Sequence, residues 1–330
     1  HSLCISARGN RPGLQRALDE TLRYKGATEA DAAAEADVSL DFAVTTEPAT
    51  VPDDLTLLGR TQHGEITIWQ GERVTYLRRG AAVVRIDSVA GRAAASLPSS
   101  LGARAADRRR DPLFYLIVLS LAVLLRHRGW YPLHAAALAR HGRGVLLVAQ
   151  SDSGKSTAAL NLVRRGWHYL SDDTVLLRAE RDGVRAYSFR RDFCVDPEAT
   201  TLFPELGRSA WPPSLSDATK WRVDAGRLYP GRFAPACVPR ALVLPSIVPA
   251  ATSTLTPAAP KTVLGHLIKQ SDFFMTPTPD VAHRHLGVFR RLIGQCGCYR
   301  LAAGRDLVDD PAAADRLLAP LLERAPASRG

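Results

Sequence analysis

An α/β fold in two parts is what this sequence predicts, and three observations carry that expectation. Residues 145–162 read as strand, tight loop and helix: the apolar run Val145, Leu146, Leu147, Val148, then Gly154-Lys155-Ser156-Thr157, then apolar positions at Ala159, Leu160 and Leu162. Residues 38–86 hold several short apolar runs separated by turn signals such as His63-Gly64 and Gly71-Glu72. Residues 113–125 form one apolar stretch interrupted only by Ser120, which suits a buried helix and is too short to span a bilayer. The expected division is a small β-rich domain over residues 1–105, a linker with the buried helix over 106–130, and an α/β domain with C-terminal helices over 131–330. A chain of 330 residues allows about two domains with a sizeable core.

In chain order, residues 1–37 begin as a polar piece punctuated by Gly and Pro and continue as an Ala/Glu-rich helical segment over 28–36. Strands are expected at 38–45, 55–58, 66–69, 74–78 and 82–86, and the first domain ends near Pro98-Ser99-Ser100. The basic run Arg108-Arg109-Arg110 reads as a solvated linker. Pro112 then opens the apolar helix and Gly129 closes it. Residues 133–138 read as one strand, joined by the short His141-Gly142-Arg143-Gly144 link to the strand at 145–148. His134 would therefore enter beside the loop that follows.

That loop carries the chemistry. A strand, Ala149-x-x-x-x-Gly154-Lys155-Ser156 and a helix make a phosphate-binding loop, with Ala149 where the full pattern has glycine. Backbone N–H groups and the helix dipole favour an anion at such a helix start. Gln150, Ser151, Asp152, Ser153, Gly154, Lys155, Ser156 and Thr157 are the expected nucleotide-binding residues; Lys155 would reach the β/γ-phosphates and the Ser156 hydroxyl would ligate Mg²⁺. Asp152 would repel phosphate if its carboxylate pointed inward. The plainer alternative is a Gly-Lys-Ser at a helix start capped by Ser151 or Ser153. Residues 167–170 read as a further strand ending in Ser171-Asp172-Asp173. Adjacent carboxylates in extended chain point to opposite sides, so the pair suits two jobs: holding Mg²⁺ and accepting a proton from an attacking hydroxyl.

His134, the Gly-Lys-Ser-Thr loop and the Asp172-Asp173 pair, in this order and spacing, resemble the catalytic domain of HPr kinase/phosphorylase, a P-loop family with a core similar to phosphoenolpyruvate carboxykinase. The wording LHAAAL, GKST and RGWHYLSDD is closer to the family's stand-alone members, among them lasso-peptide tailoring kinases found beside ribosomal-peptide genes. The likeness covers residues 132–175, with a weaker one to the C-terminus. It implies an HPr kinase-like α/β catalytic domain preceded by the β-rich one, and an ATP- and Mg²⁺-dependent transfer to a serine hydroxyl of a peptide or protein. By the same resemblance Asp172 is the general base, Asp173 assists the metal with Ser156, His134 stands beside them, and Lys155 and Ser156 serve the nucleotide. Phosphorolysis and assembly of several copies are also implied by resemblance only. The segment by which HPr kinases engage HPr is not recognisable in this sequence.

Beyond the pair, Arg181-Asp182-Gly183 signals a hairpin, followed by Arg190 and Arg191, candidate partners for a phosphate or a peptide carboxylate. Residues 209–235, rich in Trp, Pro, Asp and Arg, suggest a lid or substrate loop, with Lys220 as a candidate second phosphate contact. Residues 241–247 read as a strand, 252–260 as a linker, 261–270, 281–293 and 317–324 as helices, and 298–301 as a short strand. Five scattered cysteines argue against a disulfide framework and for a cytoplasmic compartment. The net charge of +10 suits an anionic partner, but the abundance of arginine, alanine and proline reads for the most part as genome composition; no basic stretch is interleaved with aromatics as a nucleic-acid surface would be, and no membrane segment is visible. Three other activities share these residues: an HPr-type kinase/phosphorylase, a kinase of a small-molecule alcohol, and a non-catalytic nucleotide sensor.

Overall fold

The computed structural model of the chain describes residues 3–28, 35–47, 49–61, 65–101, 112–150, 153–189, 192–271 and 278–323. It is a mixed α/β structure of two compact units. The first comprises His1–Trp130 with Pro213–Thr219 and Phe274–His283; the second comprises Tyr131–Pro212, Lys220–Phe273 and Arg284–Gly330. Among the described residues no helix is long and apolar enough to cross a membrane.

The first unit starts with β1 (Ile5–Gly9), α1 (Pro12–Tyr24) and β2 (Val38–Val44), followed by β3 (Thr56–Arg60), β4 (Thr67–Gln70), β5 (Val74–Arg79), β6 (Ala82–Asp87), β7 (Arg92–Leu97) and α2 (Pro112–His127). Its seven strands lie in the order β1-β2-β7-β6-β5-β4-β3. The β1–β2 and β2–β7 pairs are parallel, with α1 as a crossover, and the rest is an antiparallel meander. Helix α1 is a difference from the sequence expectation. What read as punctuation, Pro12-Gly13, is a helix start with proline in the first turn, and Leu14, Leu18 and Leu22 at intervals of four make its buried stripe. The expected helix at 28–36 falls mostly outside the described residues. Helix α2 lies across β2, β5, β6 and β7. It covers the face on which Leu40, Phe42, Val84 and Ala95 are buried.

The second unit contains β8 (Tyr131–His134), β9 (Ala136–Arg140), β10 (Arg143–Leu147), α3 (Lys155–Arg164), β11 (His168–Ser171), β12 (Thr174–Glu180), β13 (Gly183–Ser188), β14 (Phe193–Val195) and β15 (Trp221–Val223). It continues with α4 (Ala225–Leu228), β16 (Ala236–Ile247), β17 (Thr254–Pro257), α5 (Pro260–Lys269) and α6 (Pro279–Gln295), whose residues from Arg284 onward belong here. Strand β18 (Gly297–Ala303) and the short helices α7 (Asp306–Asp309), α8 (Ala313–Leu318) and α9 (Pro320–Glu323) complete it. Nine strands form one sheet in the order β11-β9-β10-β16-β13-β12-β8, with β18 on β16 and β17 on β18. Strand β16 is the spine: it pairs antiparallel with β13 at its start and parallel with β10 and β18 further along. Residues 254–257, expected to be linker, are strand β17, and the lid-like segment 209–235 divides. Its residues 213–219 belong to the first unit, where Tyr24 and Tyr115 hydroxyls bond to Ser214 and to the Ser216 carbonyl. The remainder supplies β15 and α4.

The stretch expected as one strand over 133–138 is two. The chain leaves β8 at Ala135 to enter β9, so β8 pairs with β12 while β9 pairs with β10. It crosses again between β11 and β12 at Asp172-Asp173. The Ala135 N–H donates to the Asp173 carbonyl at 2.8 Å, tying the two crossings together.

Candidate functional site

Both crossings and the loop after β10 meet at the carboxyl ends of β10, β11 and β16, where α/β sheets place their ligand crevices. Strand β10 delivers the loop from a core of Val145, Leu146 and Leu147, all fully buried. Gly154 turns the loop into α3 with φ of +85°, a left-handed conformation that a Cβ would strain. As the N-cap residue it brings no side chain to satisfy the first N–H groups of α3, so those donors stay directed at the loop. Ser153 does not take that role: its hydroxyl donates to the Gln150 carbonyl at 2.9 Å. Lys155 is buried, with its ammonium on the carbonyls of Ala149, at 2.8 Å, and Gln150. Thr157 stands in the first turn of α3. Ser151 and Asp152 lie outside the described residues, as do Arg190 and Arg191.

The acidic pair is divided between two settings. Asp172 is 3% exposed, and its Oδ2 accepts the Ser156 hydroxyl at 3.3 Å and the Cys194 N–H at 3.0 Å. Ser156 and Asp172 thus set two hard oxygens side by side, a donor set suited to Mg²⁺, which keeps several waters and takes few protein ligands. No group of three or more His, Cys, Asp or Glu side chains that could hold a metal ion gathers among the described residues. Asp173 faces the other way. Its Oδ1 lies 3.3 Å from His134 Nδ1, and its Oδ2 accepts the Thr174 hydroxyl at 2.6 Å. Its own N–H and that of Thr174 donate to Ser171 Oγ at 3.1 and 3.0 Å, which fixes the turn. His134 is held through its N–H on the Gln270 carbonyl at 2.8 Å, just past α5.

These positions differ from the expected grouping. The expectation grouped Ser156 with Asp173; the structure brings Ser156 to Asp172 and pairs Asp173 with His134. The physical reason is the turn between β11 and β12: Ser171 Oγ holds the N–H groups of Asp173 and Thr174, and the crossing sends Asp173 towards His134 on β8 while Asp172 stays beside Ser156. His134 reaches the site on β8, paired opposite Thr174, and not on the strand neighbouring the loop. Lys220 stands 3.5 Å from Asp196, where the β14–β15 ribbon begins. The backbone N–H of Cys194 is the contact the sequence could not announce, because any residue supplies an N–H. It reaches Asp172 because β15 and the packing of Phe193 on Tyr169 hold β14 in place.

The family model described as "SynChlorMet cassette protein ScmC" matches residues 113–191, from helix α2 through the loop and both aspartates. No curated protein matches the chain. Among solved structures, the HPr(Ser) kinase/phosphatase from Coxiella burnetii is similar to this chain at 15% sequence identity and a TM-score of 0.26, over 38% of this chain and 72% of that one.

Proposed function

We propose that this chain is a Mg²⁺-dependent kinase that moves the terminal phosphoryl group of a nucleoside triphosphate, ATP by expectation, to a serine hydroxyl of a peptide or protein. The observation that carries it is the division of the acidic pair around the loop: Ser156 with Asp172 on one side, His134 with Asp173 on the other. A protein that only bound nucleotide would need the loop and one of these settings; a transferase uses both. The sequence resemblance puts a serine of a ribosomal, lasso-type precursor peptide ahead of a small alcohol as acceptor.

In this reading Lys155 and the N–H groups at the start of α3 bind the phosphates and offset the charge that spreads over the transferring group. Ser156 and Asp172 would hold Mg²⁺, which would supply further neutralisation of that charge. The Cys194 N–H keeps Asp172 aimed at Ser156. Asp173 orients His134: with its Nδ1–H directed to the carboxylate, Nε2 is left to accept the proton of the acceptor hydroxyl.

The test uses purified full chain, Mg²⁺, labelled ATP and a panel of serine peptides and small hydroxy compounds, read by mass. A gain of phosphate on a peptide serine is expected. Asp173→Asn and His134→Ala should each lower transfer by about 100-fold or more at saturating Mg²⁺, whereas Asp172→Asn should shift the Mg²⁺ midpoint upward. Full activity in Asp173→Asn removes it from the proton path and returns that role to Asp172. No transfer to any acceptor, with ATP still bound, leaves a sensor.

A further inference from the structure

The geometry points to Ile247 as the shelf on which the base of the bound nucleotide rests, an inference that stands on the nucleotide reading above. In the sheet, β11 lies on one side of β10 and β16 on the other, with β9 between β11 and β10. Both β11 and β16 run parallel to β10, directly or through the antiparallel β9, so their carboxyl ends open on the same side as the loop. Asp172 and Asp173 follow β11. A triphosphate whose reacting end faces them must extend its nucleoside the other way, over the ends of β16 and β18.

Ile247 is the last residue of β16 and is 65% exposed, whereas five consecutive residues of the same strand before Ser246 are buried. Its Cγ1 and Cδ1 lie 3.8 and 4.0 Å from where a Cβ on Gly154 would sit, so this aliphatic side chain borders the left-handed glycine of the loop. A flat, apolar base face fits an aliphatic shelf next to a phosphate cradle, because the contact removes apolar area of both from water.

The ground behind Ile247 is rigid. Val248 N–H donates to the Ala303 carbonyl at 3.0 Å, Arg305 N–H to Ala250 at 2.9 Å and Asp306 N–H to Ala251 at 3.1 Å. The Asp306 carboxylate takes both the N–H and the hydroxyl of Ser253, and the Ser253 oxygen in turn accepts the Gly304 N–H at 2.8 Å. A Cβ on Gly304 would come within 2.8 Å of the Ala250 carbonyl, so the two segments approach as closely as glycine permits. Residues 248–253 are thereby pinned to the segment leaving β18, and they form a fixed rim beside the shelf. Preorganisation of this kind lowers the ordering cost of binding.

The experiment titrates the full chain and its variants with Mg-ATP and, separately, with Mg-tripolyphosphate, which has the phosphates and no base. Ile247→Ser should weaken ATP about tenfold and leave tripolyphosphate within about twofold, while Ile247→Leu keeps both near wild type. Unchanged ATP affinity in Ile247→Ser overturns the inference, and so does an equal loss for both ligands, which would mean that Ile247 acts through the loop. Wild-type protein that binds tripolyphosphate no more weakly than ATP also overturns it while sparing the loop as a phosphate site. Wild-type protein that binds neither ligand sinks the nucleotide reading itself.

Discussion

Along β2 and β7 the buried residues alternate, Val38, Leu40 and Phe42 in one strand and Ala93, Ala95 and Leu97 in the other. In the second unit β9 and β10 are each buried for four residues in succession. The first pattern is a sheet covered on one face; the second is a sheet covered on both faces at its β9–β10 centre. The polar groups follow suit. Buried Thr21, Thr75 and Ser120 lie apart on α1, β5 and α2, and the Ser120 hydroxyl is satisfied by its own helix at the Leu116 carbonyl. In the second unit buried Lys155, Ser171 and Asp172 gather at one edge of the sheet, while buried Asn161 and His285 sit on α3 and α6.

Four variants break or sharpen that contrast, in falling order of expected size. Phe42→Ala empties a buried position in the first sheet and should cost about 3–5 kcal/mol of stability; the unfolding midpoint checks it. Hydrogen exchange should show the loss in β2 and β7, and loss of nucleotide binding while β9 and β10 remain protected would break the division. Lys155→Ala attacks the strand-end cluster and should reduce phosphoryl transfer about 100- to 1,000-fold, with a small change in thermal midpoint. Unaltered ATP titration in that variant would mean the loop is no nucleotide site.

Gly144→Ala probes the opposite end of β10, where an added Cβ would lie 2.3 Å from Cys237 Sγ. The thiol is buried, which pushes it up to about 12 and leaves it a packing atom. Crowding there should cost about 1–3 kcal/mol without altering ATP affinity. Glu205→Gln is the mildest. Burial raises the Glu205 carboxyl, but hydrogen bonds from Arg164 and Tyr229 outweigh that and hold it at about 2, against an ordinary 4.5. A carboxyl so depressed contributes stability above about pH 4.5 that is lost as pH falls towards 2. Wild type should therefore lose urea resistance across that window, and Glu205→Gln should start lower at neutral pH and stay flatter. Parallel curves for the two proteins would remove the pair from the acid response, which solvent screening keeps small.

What the sequence shows depends on how local the cause is. The loop, helix α2 and the Asp-Gly hairpin between β12 and β13 rest on neighbours in the chain, and their residues announce them. Helix α1 escaped because Pro12-Gly13 looks like a break while serving as a start. Strand β7 escaped because Ala93-Ala94-Ala95 carries little strand preference until β2 and β6 flank it. The break at Ala135 is written in no residue: it follows from β8 and β9 having different partners. The same non-locality hid the contact between Ser156 and Asp172, since which carboxylate meets Ser156 depends on the side from which the crossing enters.

The spine strand has a consequence in time. Val145 pairs with Ala241, and Ala241 on its far side with Gly297, so the floor of the loop is assembled from segments far apart in sequence. Parallel pairings of such long range close large loops and form slowly. On a ribosome, β10 and α3 emerge long before the strands that complete their sheet. The nascent chain therefore carries an open β10 edge until β16 has left the exit tunnel, and an open β16 edge until residue 303 has followed, each a strand edge that can pair with a neighbouring chain.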